Sequence, residues 1–89
     1  MCEYQLEAVA VCPADKKRDI YTVTVRSSRL IPVEKIVAAI KAQELIEQYQ
    51  EDYTHKLHRI LAAEVETVGY HSGVRVRCVC GSQSRYLSV

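Results

Sequence analysis

The chain has 89 residues, 48% of them hydrophobic, with six Tyr, no Phe or Trp, four Cys and a net charge of +1. That length fits one domain, residues 1–89, that buries only about 60–65% of its unfolded surface, so assembly into an oligomer would help to stabilise it. No apolar run reaches the roughly 20 residues needed to span a bilayer, the first ten residues carry Glu3 and Glu7 where a signal peptide is basic, and the near-neutral charge announces no nucleic-acid partner; the expected compartment is the cytoplasm.

Residues 3–12 set Tyr4, Leu6, Ala8 and Ala10 at period two, the alternation of a half-buried strand. A polar turn from Pro13 to Asp19 follows. Residues 20–27 then alternate again, with Tyr21, Val23 and Val25 together and many β-branched types. These two strands predict an antiparallel hairpin with a long loop. Pro32 suits the first turn of a helix, where its missing N–H is not needed. Val33, Ile36, Val37 and Ile40 keep the spacing of one buried helical face and predict a helix to about residue 47. A break near Gln48–Gln50 would then start a second helix with Tyr53, Leu57, Ile60 and Leu61 inside. One continuous helix is the alternative, since no Gly or Pro interrupts the region.

Residues 64–70 and 74–80 predict a last hairpin, closed by His71-Ser72-Gly73. It puts Val74, Val76, Cys78 and Cys80 on one face and Arg75 and Arg77 on the other. Gly81 to Arg85 reads as a loop and Tyr86 to Val89 as a short edge strand. A ββααββ order with both helices on one face is an α+β layer architecture. Its exposed edges invite strand pairing between copies.

The stretch richest in chemistry is Cys12-Pro13 with Asp19 seven residues after the Cys. A hairpin brings the ends of its loop together, so thiol and carboxylate can meet. A nucleophilic Cys needs a partner to move protons, and a carboxylate can serve as general acid and base. Lys16, Lys17 and Arg18 would add positive potential favouring the thiolate. Read from the residues alone, a buried structural cysteine is the more ordinary role for position 12. Gln50-Glu51-Asp52 offers a carboxylate able to accept two N–H bonds from a guanine-like edge; a solvent-facing acidic helix segment is the ordinary reading there. The basic clusters Lys16-Lys17-Arg18 and Arg75, Arg77 and Arg85 read first as solvated surface.

Cys-Pro with Asp at that spacing, followed by a β-rich strand, resembles the QueF nitrile reductases, whose motif runs Cys-Pro-Val-Thr-Gly-x-x-Asp. The segment from Tyr49 to Leu61, including Gln50-Glu51-Asp52 and Arg59-Ile60-Leu61, resembles their Phe-His-Glu-Asp segment and the helix after it. Val65 to Tyr70 stands where their last hairpin begins. The reductases' Glu-Ser-Lys-Ser-Leu-Lys segment for NADPH is replaced here by Glu34-Lys35-Ile36-Val37-Ala38-Ala39-Ile40-Lys41, and their Pro-Arg-Gly-Gly turn by His71-Ser72-Gly73. Both losses remove groups that hold a phosphorylated dinucleotide.

Keeping the nitrile-attacking pair without the hydride-donor site resembles the archaeal QueF-like amidinotransferases. The resemblance implies a tunnelling fold that assembles into two stacked pentameric rings. It implies conversion of the nitrile of 7-cyano-7-deazaguanine, in the D-loop of tRNA, to the amidine of archaeosine, with ammonia as co-substrate and no cofactor. It makes Cys12 the nucleophile that forms a thioimide, Asp19 the proton donor and acceptor, and Glu51 the anchor of the base. Gln50, where the reductases have His, would be a further substrate contact. Lys16, Lys17, Arg18, Arg75 and Arg77 would hold tRNA phosphates. Three alternatives remain at this point: an NADPH-dependent nitrile reductase, a non-enzymatic RNA- or protein-binding module with Cys12 in its core, and a metal site on Cys78-Val79-Cys80 helped by His55, His58 or His71. The last has one ligand pair where structural zinc usually takes two, and no metal is expected.

Overall fold

The structure, a computed structural model, describes residues 1–81. The elements are β1 (Cys2–Val11), β2 (Arg18–Ser27), α1 (Val33–Gln43), α2 (Gln50–Leu61), β3 (Glu64–His71) and β4 (Val74–Cys80). They form one antiparallel sheet in the order β1-β2-β3-β4, with β1 and β4 at its edges among the described residues. The expected α+β fold is thus present. The loop beyond Gly81 and the short strand at 86–89 lie outside the described residues.

The alternation in the sequence sets the inner face. Ala8 and Ala10 of β1, Tyr21, Val23 and Val25 of β2, and Val65 of β3 are all buried. They pack against Ile36, Ala39 and Ile40 of α1 and Tyr53, Leu57 and Leu61 of α2 in one core. The edge of the Tyr21 ring meets the Tyr53 ring at 5.2 Å between centroids and 73°, a favourable arrangement of aromatic quadrupoles. α2 lies over β3 and β4, and α1 over β1.

Three expectations about the helices need correction. α1 ends at Gln43, not near residue 47, and the chain does not run on as one helix. The N–H groups of Glu44 and Ile46 donate to the carbonyls of Lys41 and Gln43, three residues back, which tightens the last turn and ends it. Leu45 follows at 75% exposed, so it gives the segment no inward anchor. Val33 is exposed and Val37 half-buried, where both were expected inside. α1 covers the edge strand β1, and among the described residues no strand lies beyond β1 to bury that side of the helix. Ile60 is also exposed; the buried face of α2 runs through Gln50, Tyr53, Thr54, Leu57 and Leu61, and position 60 falls at its margin.

The outer face of the sheet carries an ion-pair ladder across all four strands. Arg26 bonds Glu3 at 2.9 Å, Glu64 at 2.8 Å and Glu66 at 3.0 Å, and Arg77 bonds Glu66 at 3.0 Å. The Arg77 guanidinium first, then Arg26, holds Glu66 below the usual carboxylate range against the opposing effect of burial.

Gly69 is a point of close approach. A Cβ there would stand 2.6 Å from Tyr21 Cδ1 and 2.8 Å from Cε1. Tyr21 is fully buried against Tyr53 and has little room to swing away. Gly69→Ala is therefore expected to destabilise the protein by about 1–3 kcal/mol through overpacking; a denaturant titration beside wild type checks this, and an unchanged midpoint would contradict it.

Candidate active site

Cys12 stands where β1 meets its loop. Its N–H donates to the Lys17 carbonyl at 3.0 Å, and its carbonyl accepts from the Lys16 N–H at 2.9 Å. Lys17 N–H in turn donates to Asp15 Oδ1 at 2.9 Å, a side-chain turn of the kind Asp favours. The loop thereby fixes the backbone that carries the thiol. Cys12 continues the inner-face alternation of Ala8 and Ala10. Asp19 pairs in register with Ala10, so its side chain belongs to the same face. Thiol and carboxylate thus flank the mouth of the hairpin on one side of the sheet.

The linker between the helices completes the site. Glu47 forms a parallel bridge with Val11, and Gln48 N–H donates to the Val11 carbonyl at 3.2 Å. Lys16 and Glu47 form an ion pair at the surface that ties the loop to the linker. The linker therefore runs beside the end of β1 and brings Tyr49, Gln50 and Glu51 next to Cys12. Between them opens a cavity of about 320 Å³, walled by Cys12 and Tyr21 on one side, Gln48 to Glu51 on another, and His71, Val76 and Cys78 opposite. This is the size of small-molecule pockets. A larger hollow of about 590 Å³ lies on the outer side of α2 among Asp52, His55, Lys56, Arg59 and Ile60. It is a groove between surface side chains and holds no cysteine, so the smaller cavity is the candidate site.

Burial, then the neighbouring Asp19, Cys12 and Cys78, pushes the Tyr21 phenol up to about 12. At neutral pH it is a neutral hydroxyl on the cavity wall. The Glu51 carboxylate is exposed and makes no hydrogen bond or ion pair among the described residues, so it is free to accept from a ligand. Its charge reaches the β4 thiols: burial first, then Glu51, raises Cys78 and Cys80 above the usual thiol range. A raised thiol stays protonated to higher pH, so Cys78 is expected to react more slowly with iodoacetamide at pH 8–9 than a free cysteine. Glu51→Gln removes one cause and should speed that reaction. Peptide-resolved alkylation rates check both, and a rate unaffected by the substitution would contradict the placement of the carboxylate.

Gln50 behaves differently from its neighbour. Its Nε2 donates to the Thr67 carbonyl at 3.2 Å, Thr67 Oγ1 at 3.1 Å and the Val76 carbonyl at 3.0 Å. Its Oε1 lies 2.7 Å from His71 Nε2. Thr54 Oγ1, 2.6 Å from Thr67 Oγ1, donates to the Gln50 carbonyl at 2.7 Å. Expected as a ligand for substrate, Gln50 has its amide engaged on both ends within the protein. The other ring nitrogen of His71, Nδ1, faces Asp19 Oδ2 at 3.6 Å. That carboxylate oxygen is buried and has no hydrogen-bond donor within range among the described residues.

From sequence, His71 was read as part of a turn and as one possible helper of a metal site, not as a partner of Asp19. The β2–β3 register pairs Thr22 with Val68; continued three residues, it sets His71 across from Asp19. That pairing is the only signal that could have singled His71 out, and it exists only once the two hairpins are joined.

The basic residues expected to meet phosphate are dispersed. Lys16 is paired with Glu47 beside the cavity mouth. Lys17 is exposed in the same loop, and Arg18 opens β2 on the outer face. Arg77 belongs to the outer-face ladder, and Arg75 is exposed opposite Tyr70. No group of three or more His, Cys, Asp or Glu side chains converges among the described residues, so Cys78 and Cys80 find no metal-ligand partners there. No described helix is long and apolar enough to cross a membrane.

No family model matches the chain, and no curated protein matches it. Among solved structures it is similar to the crystal structure of the archaeosine synthase QueF-Like in the apo form, with a TM-score of 0.78 and 19% identity over 89% of each chain. The fold is the tunnelling fold. The family resembled in the sequence motifs is thus also the one resembled in three dimensions. At this identity the likeness carries the fold; activity has to be argued from the cavity.

Proposed function

We propose that the protein converts the nitrile of a 7-cyano-7-deazaguanine base, carried in tRNA, to an amidine with ammonia, through a thioimide on Cys12. The observation that carries this reading is the cavity lined by both Cys12 and Glu51, with Asp19 on the same sheet face at the hairpin mouth. Glu51 would accept the paired N–H groups of the guanine-like edge, and the wall formed by buried Tyr21 and half-buried Val76 would cover the ring. The similar archaeosine synthase structure supports the substrate class.

The bonds balance as follows. The Cys12 thiolate adds to the nitrile carbon, forming a C–S bond and sending one π pair to nitrogen. Asp19 supplies that nitrogen with a proton, giving the neutral thioimide. Ammonia then adds to the same carbon and returns a proton to Asp19. Collapse breaks the C–S bond, frees the thiolate and leaves the amidine. No electrons are exchanged, and the net change is addition of one ammonia. The chain would act as a ring of copies, with β1 and β4 as the edges that pair, and the base would leave the tRNA core to enter the cavity.

The test is turnover of a tRNA transcript carrying the nitrile base, with ¹⁵N-ammonium and without NADPH. The reading expects the modified nucleoside to gain one labelled nitrogen as an amidine. Unchanged nitrile under these conditions would refute it. An amine formed only when NADPH is added would assign the protein to the reductases instead.

A further inference from the structure

We infer that His71 is the positioning residue of the site: it holds and re-supplies the proton that Asp19 uses. This rests on the reaction proposed above. The inference comes from a chain of contacts whose polarity can be read atom by atom. The Gln50 amide cannot be turned around, because its Nε2 faces two backbone carbonyls, which only accept. Oε1 is therefore the atom that faces His71 Nε2 at 2.7 Å, and His71 Nε2 must carry a hydrogen.

The proton count then fixes what happens at the other nitrogen. With Nε2 protonated, Nδ1 either bears a lone pair or makes the ring a cation. It faces Asp19 Oδ2 at 3.6 Å. Among the described residues that oxygen is buried and lacks any hydrogen-bond donor in range, a need that a proton shared with the facing Nδ1 would meet. A carboxylic acid beside a neutral ring and a carboxylate beside an imidazolium both meet it. Each form stores one mobile proton between Asp19 and His71. When the nitrile nitrogen takes a proton from Asp19, that store empties; when ammonia adds and sheds a proton, it refills. The buried Gln50–Thr67–Thr54 network has no part in the transfer. It holds the ring so that Nδ1 stays aimed at the carboxylate.

This arrangement accounts for a buried, fully engaged Gln50 at the start of α2, next to an exposed and unengaged Glu51. One residue anchors the proton partner and the other is left for the base.

Two measurements test the assignment. The first is the ¹⁵N spectrum of the His71 ring in the full chain, with Asp19→Asn as comparison. A protonated Nε2, and an Nδ1 signal that moves in the variant, are expected. An unprotonated Nε2, or an Nδ1 signal indifferent to Asp19, would overturn the inference whatever the protein's reaction. The second is the rate of covalent capture of free 7-cyano-7-deazaguanine at saturating base. His71→Gln keeps a donor for the Gln50 carbonyl and so preserves folding, but removes the nitrogen facing Asp19. It is expected to slow capture at least about tenfold with half-saturation unchanged, and imidazole in the buffer should restore part of the rate to His71→Ala. Combined with Asp19→Asn it should add little. Capture by His71→Gln at the wild-type rate, or a loss fully additive with Asp19→Asn, would overturn the inference. If wild type captures no nitrile while the ring signals still respond to Asp19, the proposed reaction fails and the proton-sharing pair stands.

Discussion

Cys12→Ala should abolish amidine formation, with a fall on the order of 10⁴-fold or more, because removing a covalent nucleophile leaves only binding and polarisation to act. The fold should tolerate the change. Cys12 is only half-buried, its backbone contacts run through N–H and carbonyl groups that alanine retains, and the main core lies deeper in the sheet. A thermal midpoint close to that of wild type together with lost turnover is the expected pair of results. Cys12→Ser adds a second check, since a hydroxyl in the same place is a far weaker nucleophile at neutral pH. Appreciable turnover by the alanine variant would return Cys12 to an ordinary structural role and take the reaction scheme with it.

Asp19→Asn should lower the rate of nitrile capture by about 10²–10⁴-fold, the range for loss of a positioned general acid. The amide has nearly the size of the carboxylate, so the hairpin register with Ala10 should survive. What it loses is the proton for the nascent imide nitrogen. Stopped-flow or quenched mass measurement of capture at saturating base separates this from weaker binding: a lower maximal rate at similar half-saturation is expected. A raised half-saturation with an unaltered maximal rate would make Asp19 a ligand for the base and not its acid.

The inner face of the sheet was legible residue by residue, because period-two alternation depends only on strand geometry. Tyr21, Val23 and Val25 are buried as their spacing implied. The nearness of Cys12 and Asp19 to one mouth was also legible, since a hairpin joins the ends of its own loop. The helices were less so. Which flank of a helix is covered depends on what lies beside it, and α1 sits over a strand at the sheet edge among the described residues. Val33 therefore faces out although its period is right. Beyond the tightened last turn that ends α1 at Gln43, the chain is held by the bridge between Glu47 and Val11, a contact between distant segments that no local pattern announces. His71 was hidden for the same reason. Its position opposite Asp19 arises from the pairing of β2 with β3, across both helices. The roles of Gln50 and Glu51 could not be told apart in sequence either. Adjacent residues at the first turn of a helix point in different directions, and only packing on Thr67 and Val76 decides which one turns inward.

The central claim is that the Cys12 sulfur captures a cyano carbon. Incubating the intact protein with free 7-cyano-7-deazaguanine, without ammonia or NADPH, and weighing it tests this most directly. The account predicts a gain equal to the whole base, with nothing lost, located on the Cys12 peptide and absent from Cys12→Ala. An unchanged mass at saturating base, or an adduct that persists in the alanine variant, would contradict it.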